Sequence, residues 1–341
     1  GTVDRVRPSG VATRRTQRHV FVVQVHSKKC AAMIDTQTFT VSDFLKAFDA
    51  PASDAEMIAQ EIEKYDFRYR RLNAKERAGV IEGVLGRMSG FTEVGAHRQG
   101  IWESCWTDAS AAYEAGDGKA STLDPSFMGA TPVLRLGSDY AKPQLPDFET
   151  HWFRIIRHWL FTRYLSEAKR VFEFGCGSGF NLDCLARMYP EKVLTGLDWS
   201  NAAVDLVDRI AADHGHKLHG EHFDFFDPNP DLELGTGSVA MTFAALEQTG
   251  KNFKTFAEWL LACKPDLVVS MEPVLEFYDA ECEFDRLAIR YHNVRKYLNG
   301  YYSWLREQEK QNRVKILKAH RCRFGSLYHE GYSLLIWKPL V

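Results

Sequence analysis

EFGCGSG, residues 173–179, is the stretch of the sequence that decides the fold. It overlaps the end of the apolar run Val171–Phe174, which is typical of a buried strand, and a helix-forming segment follows it. Three glycines at alternate positions let the backbone turn tightly and approach a ligand closely, because a Cβ there would clash. The amides at the start of the next helix are free to bind polar groups. The pattern therefore predicts a nucleotide-binding loop between a strand and a helix.

From Lys169 onward, short apolar runs alternate with amphipathic helices, which indicates a parallel sheet covered on both faces. The runs are Val171–Phe174, Val193–Leu197, Lys217–Phe223, Val239–Phe243 and Leu267–Met271. Two further segments, Val314–Phe324 and Tyr332–Trp337, are joined by a short loop that contains glycine. Their spacing predicts an antiparallel hairpin that places a reversed strand at the end of the sheet. We therefore expect an α/β fold in this part of the chain.

Two kinds of nucleotide cofactor use a glycine loop of this type, and the spacing separates them. A dinucleotide site typically has the pattern Gly-x-Gly-x-x-Gly. Here the pattern is Gly-x-Gly-x-Gly, with an acid, Glu173, two residues before the first glycine. Asp198 ends the next strand, where a carboxylate can accept hydrogen bonds from both ribose hydroxyls. The spacing and the terminal hairpin disfavour a nicotinamide dehydrogenase.

In these features, residues 150–341 resemble the class I, Rossmann-like family of S-adenosylmethionine-dependent methyltransferases. The resemblance implies a mostly parallel sheet of seven strands with a terminal antiparallel hairpin. It also implies that S-adenosyl-L-methionine is the cofactor. The residues that would bind this cofactor are Glu173, Gly175, Cys176, Gly177, Gly179, Asp198, Trp199, Asp224, Phe225 and Ala244.

The resemblance also implies a role for several members of this set. Glu173 and the three glycines would lie on the methionine side, and Asp198 would hold the ribose. Trp199 would lie against the adenine face, and Asp224 would accept a hydrogen bond from the adenine amino group with Phe225 beside it. A flat apolar ring with a polar edge suits an aromatic wall plus a carboxylate. The alternative is that Asp198 and Asp224 are ordinary acids at strand ends or turns.

In an open parallel sheet, ligands bind beyond the carboxyl ends of the strands, and this rule selects candidates for chemistry on the methyl acceptor. The candidates are His329, His292, Glu247 and Glu272. A general base assists transfer to a hydroxyl, and the ordinary pKa of histidine suits proton removal near neutrality. We therefore expect His329 to act as the base, with His292 as the second candidate, and the two glutamates to orient a polar acceptor. A capping or surface role is an equally good interpretation for each of the four.

The sequence before Thr150 has a different character and no recognisable chemistry. Residues 1–90 predict a small, mostly helical unit with an Arg-rich tail. Residues 91–149, rich in glycine, proline and isolated aromatics such as Trp102 and Trp106, predict a connector or lid. The cofactor domain is expected to comprise residues 150–341. The chain begins Gly-Thr, so an excised domain of a longer protein is one interpretation.

Composition restricts the classes of function. The formal net charge of −2 gives no overall field that would attract nucleic acid or an anionic membrane. No apolar run approaches the roughly 18 residues that a membrane helix needs. The seven cysteines are scattered without Cys-x-x-Cys spacing, which favours a reducing compartment, and histidines and carboxylates show no metal-ligand spacing. We expect a cytoplasmic protein with no metal, no nucleic-acid partner and no membrane.

The expected acceptor is small and polar: a sugar, a sugar nucleotide or another secondary metabolite, methylated on oxygen or nitrogen. A second, diffuse resemblance is to bacterial methyltransferases of saccharide biosynthesis, in Phe174–Leu182, Ala245–Gln248 and His329–Trp337. Two alternatives stay open. One is a methyltransferase domain that acts on a protein or a carrier-bound acyl chain, and the other is a cofactor-binding partner subunit without turnover. The sequence leaves the oligomeric state open.

Overall fold

The computed structural model of the chain describes residues 35–125, 128 and 132–340. Residues Asp35–Val341 form one compact unit. The predicted Arg-rich tail, within residues 1–18, lies outside the described residues.

The described strands are, in chain order, β1 (Gln37–Thr38), β2 (Arg68–Arg71), β3 (Leu134–Leu136), β4 (Asp139–Pro143), β5 (Arg170–Phe174), β6 (Val193–Asp198), β7 (Leu218–His222), β8 (Ser238–Phe243), β9 (Leu267–Glu272), β10 (Val314–His320), β11 (Phe324–Gly325) and β12 (Ser333–Pro339). The α-helices are α1 (Val41–Phe48), α2 (Ala55–Ile62), α3 (Ala74–Arg87), α4 (Gln99–Ala115), α5 (Phe148–Leu160), α6 (Phe180–Met188), α7 (Asn201–His214), α8 (Phe253–Cys263), α9 (Glu283–Arg295) and α10 (Tyr301–Lys310).

The main sheet has seven strands in the order β10-β12-β9-β8-β5-β6-β7. The neighbouring pairs from β9 to β7 are parallel, and β12 is antiparallel to both β9 and β10. The predicted mostly parallel sheet with a terminal hairpin is therefore confirmed. The reversed strand, however, lies one position in from the edge rather than at the end. The reason is burial: β12 is apolar and buried over Ser333–Trp337, whereas β10 is partly exposed and suits the edge.

The main sheet carries a hydrophobic core on each face. In β12, Leu334 and Ile336 belong to one core, and Leu335 and Trp337 belong to the other, as the two-residue period of a strand requires. The first core includes residues of α1, α5, α6 and α7, and the second includes residues of α8 and α10. Because helices cover both faces, β5, β6, β8 and β9 are buried almost throughout, as is typical of parallel strands.

A second, antiparallel sheet was not predicted. Its order is β1-β2-β4-β3-β11, so it takes strands from residues 1–90, from residues 91–149 and from residues 150–341. Helix α5 joins it to the main core, because Trp152 stacks on Phe324 of β11 at 4.1 Å between ring centroids. The described part of residues 1–90 is mostly helical, as expected, but residues 91–149 are not a simple connector. They contain α4, β3 and β4.

Candidate functional site

A cavity of about 370 Å³ lies beyond the carboxyl ends of β5, β6 and β8. Its size is in the range of small-molecule sites. One end, called here the cofactor end, is lined by Glu173, Gly175, Cys176, Gly177, Asp198, Trp199, Phe225 and Ala244, all of which were predicted to bind a cofactor. The other, the acceptor end, is lined by Arg98, Glu247, Gln248, Tyr291, Arg295, Tyr297 and His329.

The glycine loop, residues 175–179, connects β5 to α6. Its three glycines have φ values of +74°, +53° and +71°, which residues with a Cβ adopt only at a cost. A Cβ on Gly177 would lie 2.6 Å from Cζ2 of Trp106, and a Cβ on Gly175 would overlap Ala245. Gly179 lies outside the cavity wall and packs instead near Val207 of α7. Neighbouring side chains therefore help to fix the conformation of the glycine loop, which also forms part of the cavity wall.

Asp198, at the end of β6, is buried at the cofactor end. Its Oδ2 accepts a hydrogen bond from the Gly177 amide and its Oδ1 accepts one from the Ser200 amide, each at 3.0 Å. Burial raises the pKa of Asp198 to about 6, although these backbone hydrogen bonds oppose the rise. Each carboxylate oxygen can accept a second hydrogen bond, so the residue is able to hold the glycine loop and a diol together.

Aromatic rings form the wall next to Asp198. Trp199 stacks with Phe226 at 6.0 Å and 27°, and Phe225 lies in the same wall. Asp224, which was predicted to bind the adenine amino group, lies outside the cavity wall. Its Oδ1 accepts a hydrogen bond from the Phe226 amide at 2.8 Å, as an aspartate that begins a turn commonly does. This position favours the interpretation of Asp224 as a turn acid.

Glu173 is the penultimate residue of β5 and is 1% exposed. Its Oε1 accepts a hydrogen bond from Nδ2 of Asn181 at 2.7 Å, while its Oε2 has no hydrogen-bond partner among the described residues. Burial raises the pKa of Glu173 to about 8, with Asn181 and the nearby Arg157 opposing the rise. A buried carboxylate oxygen without a partner is costly, and a cationic ligand group would remove that cost.

Helix α4 closes the cofactor end from outside the main sheet. Its Gln99 donates from Nε2 to the Trp199 carbonyl at 3.2 Å, and its Glu103 accepts from the Ala202 amide at 3.1 Å. Trp106 lies on Gly177, and Trp102 stacks on Trp106 at 5.7 Å. Helix α4 itself was not predicted, and it covers this end of the cavity from within residues 91–149.

Glu272 was predicted to orient the methyl acceptor, but it instead holds a loop of the protein backbone. It is fully buried at the end of β9, outside the cavity wall. Its carboxylate accepts hydrogen bonds from the amides of Ala245, Leu246 and Glu247 at 3.1–3.2 Å. Burial raises its pKa to about 7, and the same three amides oppose the rise. Glu272 therefore shapes the loop after β8, in which Ala244 has a φ of +52°.

Glu247, in that loop, does line the acceptor end. It accepts a hydrogen bond from Nε2 of Gln248 at 2.9 Å, and Oε1 of Gln248 accepts one from Nη1 of Arg98 at 2.7 Å. Burial, and then the charge of Glu272, raise the pKa of Glu247 to about 8. This carboxyl can therefore exchange a proton near neutral pH.

His329 and His292 form a buried pair, with Nδ1 of His329 at 3.2 Å from Nε2 of His292. Only His329 lies in the cavity wall, and His292 lies behind it. Burial lowers the pKa of His292 to about 3 and that of His329 well below its ordinary value, with the charge of Arg135 contributing to both. The expectation of an imidazole with an ordinary pKa was wrong. Both rings are neutral at neutral pH, and His292 is not placed to reach an acceptor.

Four buried charges fix the segment that carries His329. Arg321 donates to both carboxylate oxygens of Asp285 and of Glu330, at 2.6–2.9 Å. Arg135 of β3 lies 3.7 Å from each of the same carboxylates. This network joins the second sheet and α9 to the loop before β12, so it holds the acceptor end in position.

Comparison with known proteins adds the following. No family model matches the sequence. Among curated proteins, the chain is similar to EEF1A lysine methyltransferase 2 of Danio rerio, with 34% identity over 86 residues. This segment is 25% of the present chain and 36% of the relative, so the match spans about a third of the relative's length.

Several solved structures are similar to parts of the chain at low identity. The [4+2]-cyclase SpnF has a TM-score of 0.49 at 12% identity, over 74% of this chain and 100% of its own. The small RNA methyltransferase HEN1 has 0.42 at 17%, over 55% and 25%. The O-methyltransferase NcsB1 of neocarzinostatin biosynthesis, in complex with S-adenosylmethionine and 2-hydroxy-5-methyl naphthoic acid, has 0.38 at 16%, over 57% and 58%.

The deciding observation is the strand order of the main sheet, with β12 reversed between β9 and β10 and the glycine loop after β5. The chain has the class I methyltransferase fold. In this fold, the glycine loop and Asp198 line the same cavity at the carboxyl ends of the strands.

Several residues of the acceptor end were missed from the sequence, among them Arg98, Arg295 and Tyr297. No short motif marks them, because they come from distant segments. The sequence does contain a signal for α4. Trp102, Trp106 and Tyr113 recur at helical spacing, which predicts an amphipathic helix there.

Metal-binding groups and membrane-spanning helices are both absent from the described part of the chain. Among residues 35–125, 128 and 132–340, no group of three or more histidine, cysteine or acidic side chains could hold a metal ion. Over the same residues, no helix combines the length and apolarity needed to cross a membrane.

Proposed function

We propose that this chain is an S-adenosylmethionine-dependent methyltransferase that acts on oxygen or nitrogen of a small polar acceptor, such as a sugar, a sugar nucleotide or another secondary metabolite. The observation that carries the proposal is the single cavity that joins the glycine loop and Asp198 to a second, polar end beneath α4. A cavity of about 370 Å³ is in the size range of small-molecule sites, which favours a small acceptor.

The cofactor end fits S-adenosylmethionine in its chemistry. Asp198 would accept hydrogen bonds from the ribose, and Trp199 and Phe225 would enclose the adenine ring. Glu173 has one buried oxygen without a partner, which suits the cationic amino group of the methionine portion. When bound, this cofactor supplies a methyl group that its sulfonium already activates.

At the acceptor end, this chain's task is alignment and proton removal. The Arg321 network holds the walls of the acceptor end in fixed positions. Positioning of the reactants alone can lower the activation barrier by several kcal/mol. Glu247 takes over the role that was expected of His329, because its carboxylate with a raised pKa is the stronger base at this end. It would accept the proton that the acceptor oxygen or nitrogen loses, while His329 offers a neutral ring nitrogen for hydrogen bonding.

A protein acceptor is the second candidate function. The similarity to a lysine methyltransferase of Danio rerio favours it. The contacts of α4 with Trp199 and Gly177 oppose it, because they narrow the approach for a lysine side chain on a folded protein. We also propose a reducing, cytoplasmic location, supported by the free state of the described cysteines, Cys105, Cys176, Cys184, Cys263, Cys282 and Cys322.

Isothermal titration with S-adenosylhomocysteine, with NAD as the control ligand, tests the proposal. We expect micromolar binding of S-adenosylhomocysteine and none of NAD. NAD binding alone would mean that the glycine loop serves a dehydrogenase, and the methyltransferase proposal would be withdrawn. Binding of S-adenosylhomocysteine without turnover on free metabolites, loaded carrier proteins or protein substrates would indicate the partner subunit instead.

A further inference from the structure

Two arginines line the acceptor end from different elements. Arg98 immediately precedes α4, and Arg295 is the last residue of α9. Arg295 is 8% exposed, and Arg98 is half-buried. The charge of Arg295 lowers the pKa of Arg98, after the larger effect of burial, which shows that the two cations act on each other.

The hydrogen bonds of these arginines are incomplete. Arg98 donates from Nη1 to Gln248. Arg295 donates from Nη1 to the Thr92 carbonyl and from Nη2 to the Tyr297 hydroxyl. The Nε of each arginine is buried and has no hydrogen-bond partner among the described residues. Buried N–H donors of a charged group are costly to leave unpaired.

The positive charges of Arg98 and Arg295 are also incompletely neutralised. Glu247 is the carboxyl whose charge acts on both arginines, and it forms no ion pair with either in the described part of the chain. Even a fully ionised Glu247 offsets one of two positive charges. Its raised pKa leaves it partly protonated near neutrality, so the excess of positive charge is larger.

Elsewhere this fold pairs two of its arginines with carboxylates, while a third, Arg157, is buried in packed protein and donates to the Phe180 carbonyl and to Asn181. Arg321 donates to two carboxylates, and Arg135 lies 3.7 Å from the same two. Arg98 and Arg295 differ because they face a cavity rather than packed protein. Two guanidinium groups with free donors around one cavity are a typical way to bind a carboxylate or a phosphate.

We propose that Arg98 and Arg295 form a subsite for an anionic group, a carboxylate or a phosphate, on the methyl acceptor. This inference rests on the proposed methyltransferase function and narrows its substrate class to anionic acceptors. Sugar nucleotides and acidic metabolites fit, and neutral sugars do not.

The position of the arginines favours the acceptor over the carboxylate of the cofactor itself. Arg98 precedes Trp106, the residue that lies on Gly177, by two helical turns, or about 12 Å along the helix axis. Arg295 packs on Tyr297, whose ring contacts His329 at 5.4 Å. Both arginines therefore belong to the end of the cavity away from the glycine loop.

The test uses the full chain saturated with S-adenosylhomocysteine. Benzoate and inorganic phosphate are titrated into it at constant ionic strength, with benzamide as the neutral counterpart of benzoate. We expect at least one of the two anions to bind, and benzamide to bind about tenfold more weakly than benzoate or not at all.

Variants assign the binding to the two arginines. R98Q and R295Q should each weaken anion binding about tenfold and leave the affinity for S-adenosylhomocysteine unchanged. R290Q, the same substitution at an exposed position of α9, is the matched control and should change neither. Since Arg295 also binds Thr92, thermal unfolding is measured first, and R98Q decides the question if R295Q fails to fold.

Each other outcome overturns the subsite. Anions that bind no better than benzamide, or an equal loss in R290Q, would remove it. If R98Q and R295Q weaken S-adenosylhomocysteine but not 5′-methylthioadenosine, the arginines hold the carboxylate of the cofactor instead. Absence of S-adenosylhomocysteine binding would overturn the proposed function as well, whereas S-adenosylhomocysteine binding without anion binding would overturn the subsite alone.

Discussion

The two ends of the cavity are built in opposite ways. The cofactor end comes mainly from residues that directly follow neighbouring strands, β5 and β6, and its acid, Asp198, is held by backbone amides. The acceptor end is assembled from four distant segments: a residue before α4, the loop after β8, the end of α9 and the loop before β12. Its polar groups are held mainly by side chains. Local sequence therefore encodes the first end, and the whole fold encodes the second.

The largest expected effect concerns the glycine loop. Gly177→Ala places a Cβ 2.6 Å from Trp106 at a φ of +53°, so either the loop or the lid must move. We expect a loss of about 1–3 kcal/mol in the free energy of unfolding and at least about tenfold weaker binding of S-adenosylhomocysteine. Urea unfolding and calorimetry measure the two.

Gly86→Ala is the matched control for Gly177→Ala. Gly86 lies in α3 with nothing within 4 Å of the added Cβ, and alanine favours a helix. Stability should stay the same or rise slightly. If the two variants behave alike, the close approach of Trp106 to Gly177 has no energetic role. The contrast between the cofactor end and the acceptor end of the cavity would then lose its basis.

The next effect separates the two acids that were predicted to bind the cofactor. Asp198→Ala should weaken S-adenosylhomocysteine binding by about 10- to 100-fold, because it removes the ribose acceptor and two hydrogen bonds to the glycine loop. Asp224→Ala should change the affinity less than about threefold, since Asp224 contacts the Phe226 amide outside the cavity wall. Calorimetry on both variants decides between the roles, and an equal loss would restore Asp224 as an adenine ligand.

The smallest effect tests the buried carboxyls at both ends through pH. Burial raises the pKa of Glu173 and Glu247 to about 8, so the folded state holds protons that the unfolded state has released. The free energy of unfolding should therefore fall as pH rises from about 7 to 8, above the range in which the buried neutral histidines oppose the fall, with a slope of at most roughly 1.4 kcal/mol per pH unit for each group. Urea unfolding of the ligand-free protein at several pH values measures this slope.

Glu247→Gln should reduce the pH dependence by about 1 kcal/mol over that range, because one buried ionisation is removed. Glu191→Gln, at a residue whose side chain is 69% exposed, is the control and should leave the dependence intact. A wild-type protein that is equally stable at pH 7 and pH 8 would contradict the raised pKa values at both ends.

The sequence was sufficient to predict the main sheet, the hairpin and most of the cofactor end, because each rests on local period or spacing. The second sheet escaped, since its strands have two to five residues and pair across long separations, such as Leu136 with Phe324. The raised pKa of Glu247 and the lowered pKa of His329 escaped for another reason. Which side chain becomes a base depends on burial and on charges such as Arg135, and neither is visible before the chain has folded.

The pairing of β11 with β3 also has a consequence for how the protein is made. Until Phe324 leaves the ribosome, β3 has β4 on one side and an unpaired edge on the other. At ordinary rates of synthesis, the residues between Leu136 and Phe324 take roughly 10 to 40 s to produce. An open strand edge is a template for pairing with other chains, so a nascent chain of this protein has a long interval in which a chaperone would prevent aggregation.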